Sequence, residues 1–252
     1  MNQAWRFLLC WAFILATTCS HATDYRFYSA AGVKLPMIEF AQQFKQSNPT
    51  NLIVNDFDTA GAAESKFIAD TQSACLITTI IRLEKALSSG VLKGADPIPL
   101  ADTLGGIAFS GDFKPSISNR SELRLALLNA KSIAFSDPAR GATVGVHFLD
   151  IIKKLEIEKE VLAKSTLAKD GVETMKLVTS KKVELGITQV SEIIQADAKT
   201  LLGPFPSEFE LASRYAVWCR DPKDKNIAMF LDLMQSENGA NTFNKFGLRS
   251  VR

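Results

Sequence analysis

From residue 24 onward, short apolar runs alternate with segments whose apolar positions recur at helical spacing. Residues 24–29 predict a strand. Val33, Met37, Phe40, Ala41 and Phe44 then fall at i, i+4, i+7, i+8 and i+11, one face of a helix that Ser47-Asn48-Pro49 closes. Leu52-Ile53-Val54 opens a second strand, residues 62–70 form a second helix and residues 74–77 a third strand. A proline-containing stretch, residues 94–100, leads into Gly105-Gly106-Ile107-Ala108-Phe109-Ser110, and the alternation restarts. Helices are expected at 121–130, 139–155 and 172–180, and strands at 132–135 and 183–188. After Leu201-Leu202-Gly203-Pro204-Phe205-Pro206 come a long strand, 209–219, and two terminal helices. This alternation predicts an α/β fold with mainly parallel sheets. The two proline-containing crossings divide it into one lobe of residues 23–104 and 205–252 and an inserted lobe of residues 105–204.

The amino terminus breaks the pattern. Residues 7–16 are apolar, Arg6 precedes them, and Thr17-Thr18-Cys19-Ser20-His21-Ala22 follows, the order of a secretory signal peptide cleaved after Ala22. The apolar run is about half the roughly 20 residues a membrane-spanning helix needs, and Ala16-Thr17-Thr18 before Cys19 is a poor lipoprotein signal. Removing residues 1–22 takes Lys plus Arg from 29 to 28 against 27 Asp plus Glu. A nearly neutral chain without a basic stripe speaks against a nucleic-acid partner. Of the four cysteines Cys75 and Cys219 remain. They either pair in an oxidising compartment or stay as buried thiols, since both sit in apolar runs.

Catalytic parts are scarce. His147 is the sole histidine after cleavage, it falls within a predicted helix, and no G-x-S-x-G elbow accompanies it. Metal-binding spacings and phosphate-cradling glycine loops are absent from the sequence, so neither a metal nor a cofactor is expected. What recurs is the strand-to-helix turn rich in small and hydroxyl residues: Ser29-Ala30-Ala31-Gly32, Thr59-Ala60-Gly61-Ala62 and Ser136-Asp137-Pro138-Ala139-Arg140-Gly141-Ala142-Thr143. At such turns the first helical N–H groups lack internal partners and face the positive end of the helix dipole, so they can hold a small anion. The carboxyl ends of strands in open α/β sheets are where ligand crevices form.

Four segments carry a resemblance: Ser29-Ala30-Ala31-Gly32-Val33-Lys34, Thr59-Ala60-Gly61-Ala62, residues 130–138 and Leu185-Gly186-Ile187-Thr188-Gln189-Val190-Ser191. Their order and spacing resemble the extracytoplasmic molybdate-binding proteins, type II periplasmic binding proteins of ABC importers. The resemblance implies a monomer of two α/β lobes in the periplasm, which closes on a molybdate- or tungstate-like oxyanion and delivers it to a membrane permease. It puts ligand donors at Ser29, Ala31, Gly32, Thr59 and Gly61 in the first lobe, and at Ser136, Ala139, Arg140, Gly141, the segment around Val172, and Gln189 in the second. Hinges are implied near Leu104 and Pro204. The chain departs from that family, which places a serine near Gly32, a tyrosine near Gln189 and no full charge in the pocket. Arg140 therefore opens a second expectation, a bidentate contact to an organic di- or tricarboxylate, against the alternative that it points to solvent. An exported enzyme on the same scaffold, or a sensory or scaffolding module, is the reading from another class.

Overall fold

A computed structural model describes residues 23–112 and 114–251. The signal-peptide reading of residues 1–22 lies outside them. The chain runs β1 (Thr23–Ala30), a 3-10 turn (Ala31–Val33), α1 (Lys34–Ser47), β2 (Asn51–Asp58), α2 (Ala60–Ala69), β3 (Cys75–Thr79), α3 (Ile80–Ser88), β4 (Ile98–Phe109) and α4 (Arg120–Asn129). It continues through β5 (Ile133–Ser136), a 3-10 turn (Pro138–Arg140), α5 (Thr143–Lys154), α6 (Glu158–Leu162), β6 (Ser165–Ala168), α7 (Gly171–Thr179), β7 (Leu185–Gln189) and α8 (Val190–Asp197). It ends with β8 (Leu201–Pro204), β9 (Ala212–Cys219), α9 (Lys225–Gln235), α10 (Glu237–Lys245) and β10 (Arg249–Ser250).

The strands follow the order β2-β1-β3-β9-β4-β7-β5-β6, with β8 and β10 also on β4. The outer pairs are parallel, as the strand-helix alternation requires, and the pairs made by β4 and β9 are antiparallel. β4 serves both halves. Residues 98–104 pair with β9, the last pair being Leu104 with Ala212, and from Gly105 the strand pairs with β7. The glycines at this switch answer to close packing. A Cβ on Gly105 would sit 2.9 Å from the Phe205 ring, and one on Gly106 2.7 Å from Val190 and 2.9 Å from the Gly203 carbonyl.

Alternation along the strands sends side chains to both faces, each covered by helices. On β9, Tyr215, Val217 and Cys219 join Phe27, Met37, Phe40 and Phe230 under α1 and α9, whereas Ala216 and Trp218 join Phe67 and Leu83 under α2 and α3. In the other half Ile107, Phe135 and Ile187 pack with Phe148 and Ile152, and Ala108 and Ala134 with Met175, Val178 and Ile193 on the opposite face. Each half is a helix-sheet-helix sandwich.

Cys75 and Cys219 stand opposite each other in the β3–β9 register and form a disulfide, which decides between the bridge and the free thiols. Two sequence expectations are corrected. The helix of residues 139–155 starts at Thr143, because Asp137 and Pro138 open only a 3-10 turn that Gly141 ends in the left-handed region at φ 72°. The strand of residues 209–219 starts at Ala212, since residues 207–209 are themselves a 3-10 turn after Pro206.

Candidate functional site

Five helix beginnings point at one cavity. The 3-10 turn before α1 brings Ala31 and Gly32, α2 brings Thr59 and Ala60, α5 brings Ala142, Thr143 and Val144, α7 brings Gly171, and α8 brings Gln189 and Glu192. Ala30, Ser136, Thr188 and Tyr215 complete the lining. The cavity, partly open to solvent, spans about 310 Å³ of empty space. Its lining carries no Lys, Arg or His, and among the described residues no group of three His, Cys, Asp or Glu is arranged for a metal ion.

The cavity is closed by contacts between the two halves. Thr59 Oγ1 donates to the Arg140 carbonyl, and the Gly61 N–H donates to the Gly141 carbonyl at 3.2 Å. Arg82 Nη2 reaches the same Gly141 carbonyl at 3.3 Å. Arg140 Nη2 lies 2.8 Å from both carboxylate oxygens of Asp58, which also accepts from the Thr59 N–H at 2.8 Å and pairs with Lys66 at 3.1 Å. Asp58 is 1% exposed. Burial alone would raise its pKa, but the hydrogen bonds from Arg140, Thr59 and Lys66 outweigh burial and hold the carboxyl below its ordinary value. On the opposite rim Gln195 from α8 donates to the Gly32 carbonyl at 2.8 Å and accepts from the Leu35 N–H at 2.9 Å.

The structure thus brings Ala31, Gly32, Thr59, Ser136 and Gln189 to the cavity wall. Ser29 is buried one residue short of it, with its hydroxyl 3.5 Å from Asn55 Oδ1. Gly61, Ala139, Arg140 and Gly141 line a separate surface pocket beside the Asp58 contacts. Val172 lines an outer pocket with Lys34 and Lys176, which shares Ala31 and Glu192 with the cavity. The Arg140 guanidinium therefore meets Asp58 and does not line the cavity. His147 is distant in role, its Nε2 bonded to the Phe209 carbonyl at 2.8 Å.

Two ionisable groups in the wall went unread in the sequence. Glu192, third residue of α8, is 8% exposed. Its Oε2 accepts from the Thr188 hydroxyl and from the Gln189 N–H at 3.2 Å. Burial, together with the charge of Asp170 and against those hydrogen bonds, raises it from 4.5 to about 7. Tyr215 comes from β9; burial first and the neighbouring Glu192 second raise its pKa well above the ordinary value, so it stays a neutral phenol. A Cβ on Gly32 would come within 2.2 Å of Tyr215 Oη, so the tyrosine occupies the room a larger residue at 32 would need. The signal for Glu192 was a Gln-x-x-Glu spacing at the strand-to-helix junction, a capping pattern; its burial depends on Gly171, where a Cβ would meet Glu192 Oε2 at 2.0 Å.

This architecture, two helix-covered half-sheets joined through the shared strand β4 with helix beginnings converging between them, is that of the type II periplasmic binding proteins. The chain belongs to the family described as bacterial extracellular solute-binding protein, which residues 25–249 match. The periplasmic molybdate-binding protein of Azotobacter vinelandii superposes with a TM-score of 0.73 at 16% identity, covering 89% of this chain and 98% of that one. Peb3 from Campylobacter jejuni superposes at 0.64 with 13% identity, covering 90% and 99%, and PEB3 has also been solved with bound L-phospholactate. Among curated proteins, an aconitate isomerase of Pseudomonas sp. is 22% identical over 95% of this chain and 94% of its own length.

Proposed function

We propose that this chain is a periplasmic solute-binding protein that closes on a small anion and hands it, as a monomer, to a membrane ABC permease. The observation that carries the reading is the convergence of five helix beginnings on one small cavity without a Lys or Arg in its wall. Uncompensated N–H groups and aligned dipoles are worth most where water is excluded, and they hold an anion without the desolvation cost of a buried cation. Residues 23–104 with 205–252 and residues 105–204 act as the two lobes, hinged near Leu104 and Pro204 where the pairing of β4 changes. A molybdate- or tungstate-like oxyanion suits a cavity of this size, and the fold's likeness to the Azotobacter protein supports it. A carboxylate ligand taken through Arg140 would require that residue to leave Asp58. The test is thermal melting over molybdate, tungstate, sulfate, phosphate and di- and tricarboxylates. A bound ligand at a thousandfold excess over its Kd stabilises by about 4 kcal/mol, so a melting temperature unmoved by every anion would remove the anion-cleft reading.

A second reading rests on Glu192. A carboxyl with a pKa of about 7 beside a neutral tyrosine is an acid-base pair suited to moving a proton on a bound carboxylic acid, and the Pseudomonas relative carries the name aconitate isomerase. On this reading the protein interconverts aconitate isomers, and Glu192→Gln abolishes the change in isomer ratio followed by proton NMR. No change with the unmodified protein removes it.

A further inference from the structure

Among the donors of the cavity wall stands one carboxylate that the fold leaves under-used. Both hydrogen bonds that Glu192 accepts go to Oε2, so among the described residues Oε1 keeps its accepting capacity. Gln189 is 5% exposed and lines the same cavity; its Nε2 donates to Ser213 Oγ at 3.0 Å, and its side chain caps the first turn of α8 at the Glu192 N–H. A carboxylate facing a bound anion repels it strongly in a water-poor site. A ligand that has only acceptor oxygens leaves Glu192 Oε1 unsatisfied.

We propose that Glu192 sets the ligand class of this cleft: it selects an anion that carries its own hydrogen-bond donor, a hydrogen-phosphate or a hydroxy acid, over a fully ionised acceptor-only anion. This rests on the anion-cleft reading above and narrows it. The donor of such a ligand satisfies the Glu192 carboxylate in a charge-assisted hydrogen bond, while its anionic oxygens meet the helix N–H groups. An acceptor-only anion such as sulfate, molybdate or succinate enters only when Glu192 has taken up a proton from water and can itself donate. The titratable and charged groups around Glu192 are Tyr215 on β9, Asp170 at the cap of α7, and Lys34, Lys176 and Asp197 in the adjoining outer pocket. Tyr215 stays neutral, and Asp170 adds to the cost of ionising Glu192.

Calorimetric titration of the purified protein with two matched pairs, phosphate against sulfate and malate against succinate, at several pH values from about 6 to 9 decides the matter. Hydrogen-phosphate, malate or both are expected to bind at least about tenfold more tightly than the matched anion near pH 8.5. Sulfate and succinate are expected to weaken about tenfold per pH unit above about pH 7, the mark of one proton taken up on binding. The two pairs separate a phosphate source from a hydroxy-acid source. In Glu192→Gln the pH slope for sulfate and succinate is expected to vanish, and the unmodified protein's own pH series decides the point if that variant does not fold. Sulfate or succinate binding as tightly as its partner at pH 8.5, with no dependence on pH, overturns the proposal and leaves the anion-cleft reading standing. Failure of all four anions and of molybdate to bind overturns both.

Discussion

At the scale of single residues, Glu192 makes the clearest energetic statement. A carboxyl raised from 4.5 in the unfolded chain to about 7 in the fold binds a proton more tightly when folded. The folded state therefore holds more protons between those values, and stability falls as pH rises from about 4.5 to about 7, then levels off. Glu192→Gln keeps the shape and removes the charge. At pH 5 the variant should match the unmodified protein within about 1 kcal/mol; at pH 8 it should be more stable by about 3 kcal/mol in denaturant unfolding. Equal stability differences at both pH values would mean that the carboxyl is not desolvated. Gly32 makes the opposite statement, since any side chain there meets Tyr215. Gly32→Ala is expected to cost about 1 to 3 kcal/mol by overpacking and to weaken anion binding by displacing the tyrosine. Neither role was legible beforehand: Glu192 reads as a capping residue on a solvated helix, and Tyr215 as one more apolar position on β9. What buries both is Gly171 and Gly32, which approach from remote parts of the chain.

At the scale of elements, legibility followed the origin of each structural cause. Strands β1 to β3 and helices α1 and α2 were readable because their causes are local, apolar spacing and turn chemistry. The start of α5 was misread because Asp137-Pro138 is a genuine opening signal, satisfied by a 3-10 turn; Gly141 then reverses the backbone and the helix begins again at Thr143. That shift matters for the site, since it is Ala142, Thr143 and Val144, and no part of residues 139–141, that reach the cavity wall. The pairing of β3 with β9 was unreadable because it joins segments 144 positions apart, yet it fixes the disulfide. Closing so long a loop reduces unfolded-chain entropy by about 4 to 5 kcal/mol. A Cys75→Ser, Cys219→Ser double variant is thus expected to melt on the order of 10 to 15 °C lower. Its anion affinity should be unchanged, because the bridge lies at the end of β9 away from Tyr215, which lines the cavity. A double variant that melts with the unmodified protein would assign the stability of this pair to packing alone.

At the scale of the whole molecule, the question is what keeps the two halves together around the proposed anion site. Three of the expected ligand positions, Gly61, Arg140 and Gly141, instead join one half to the other, with Asp58 at the centre. The sequence reading made this turn a ligand turn; the spacing could not say whether its partner is a ligand or the facing turn. Because Asp58 is held below the ordinary carboxylate range, the pair is intact above about pH 4 and is lost only as pH falls through the lowered Asp58 value. It therefore persists across the neutral range, where Glu192 titrates. Arg140 is about one third exposed, so its contribution to closure is discounted to about 1 kcal/mol, roughly a fivefold shift between closed and open forms. Asp58→Asn and Arg140→Gln should each enlarge the radius of gyration of the unliganded protein in solution scattering and weaken anion binding up to about fivefold. Because both substitutions remove one contact, the double variant should be no worse than the single ones. Effects that add would show that each residue acts separately, and the pair would then lose its role in closure. Ligand in excess should restore the compact form in all three variants, since none of them alters a residue of the cavity wall.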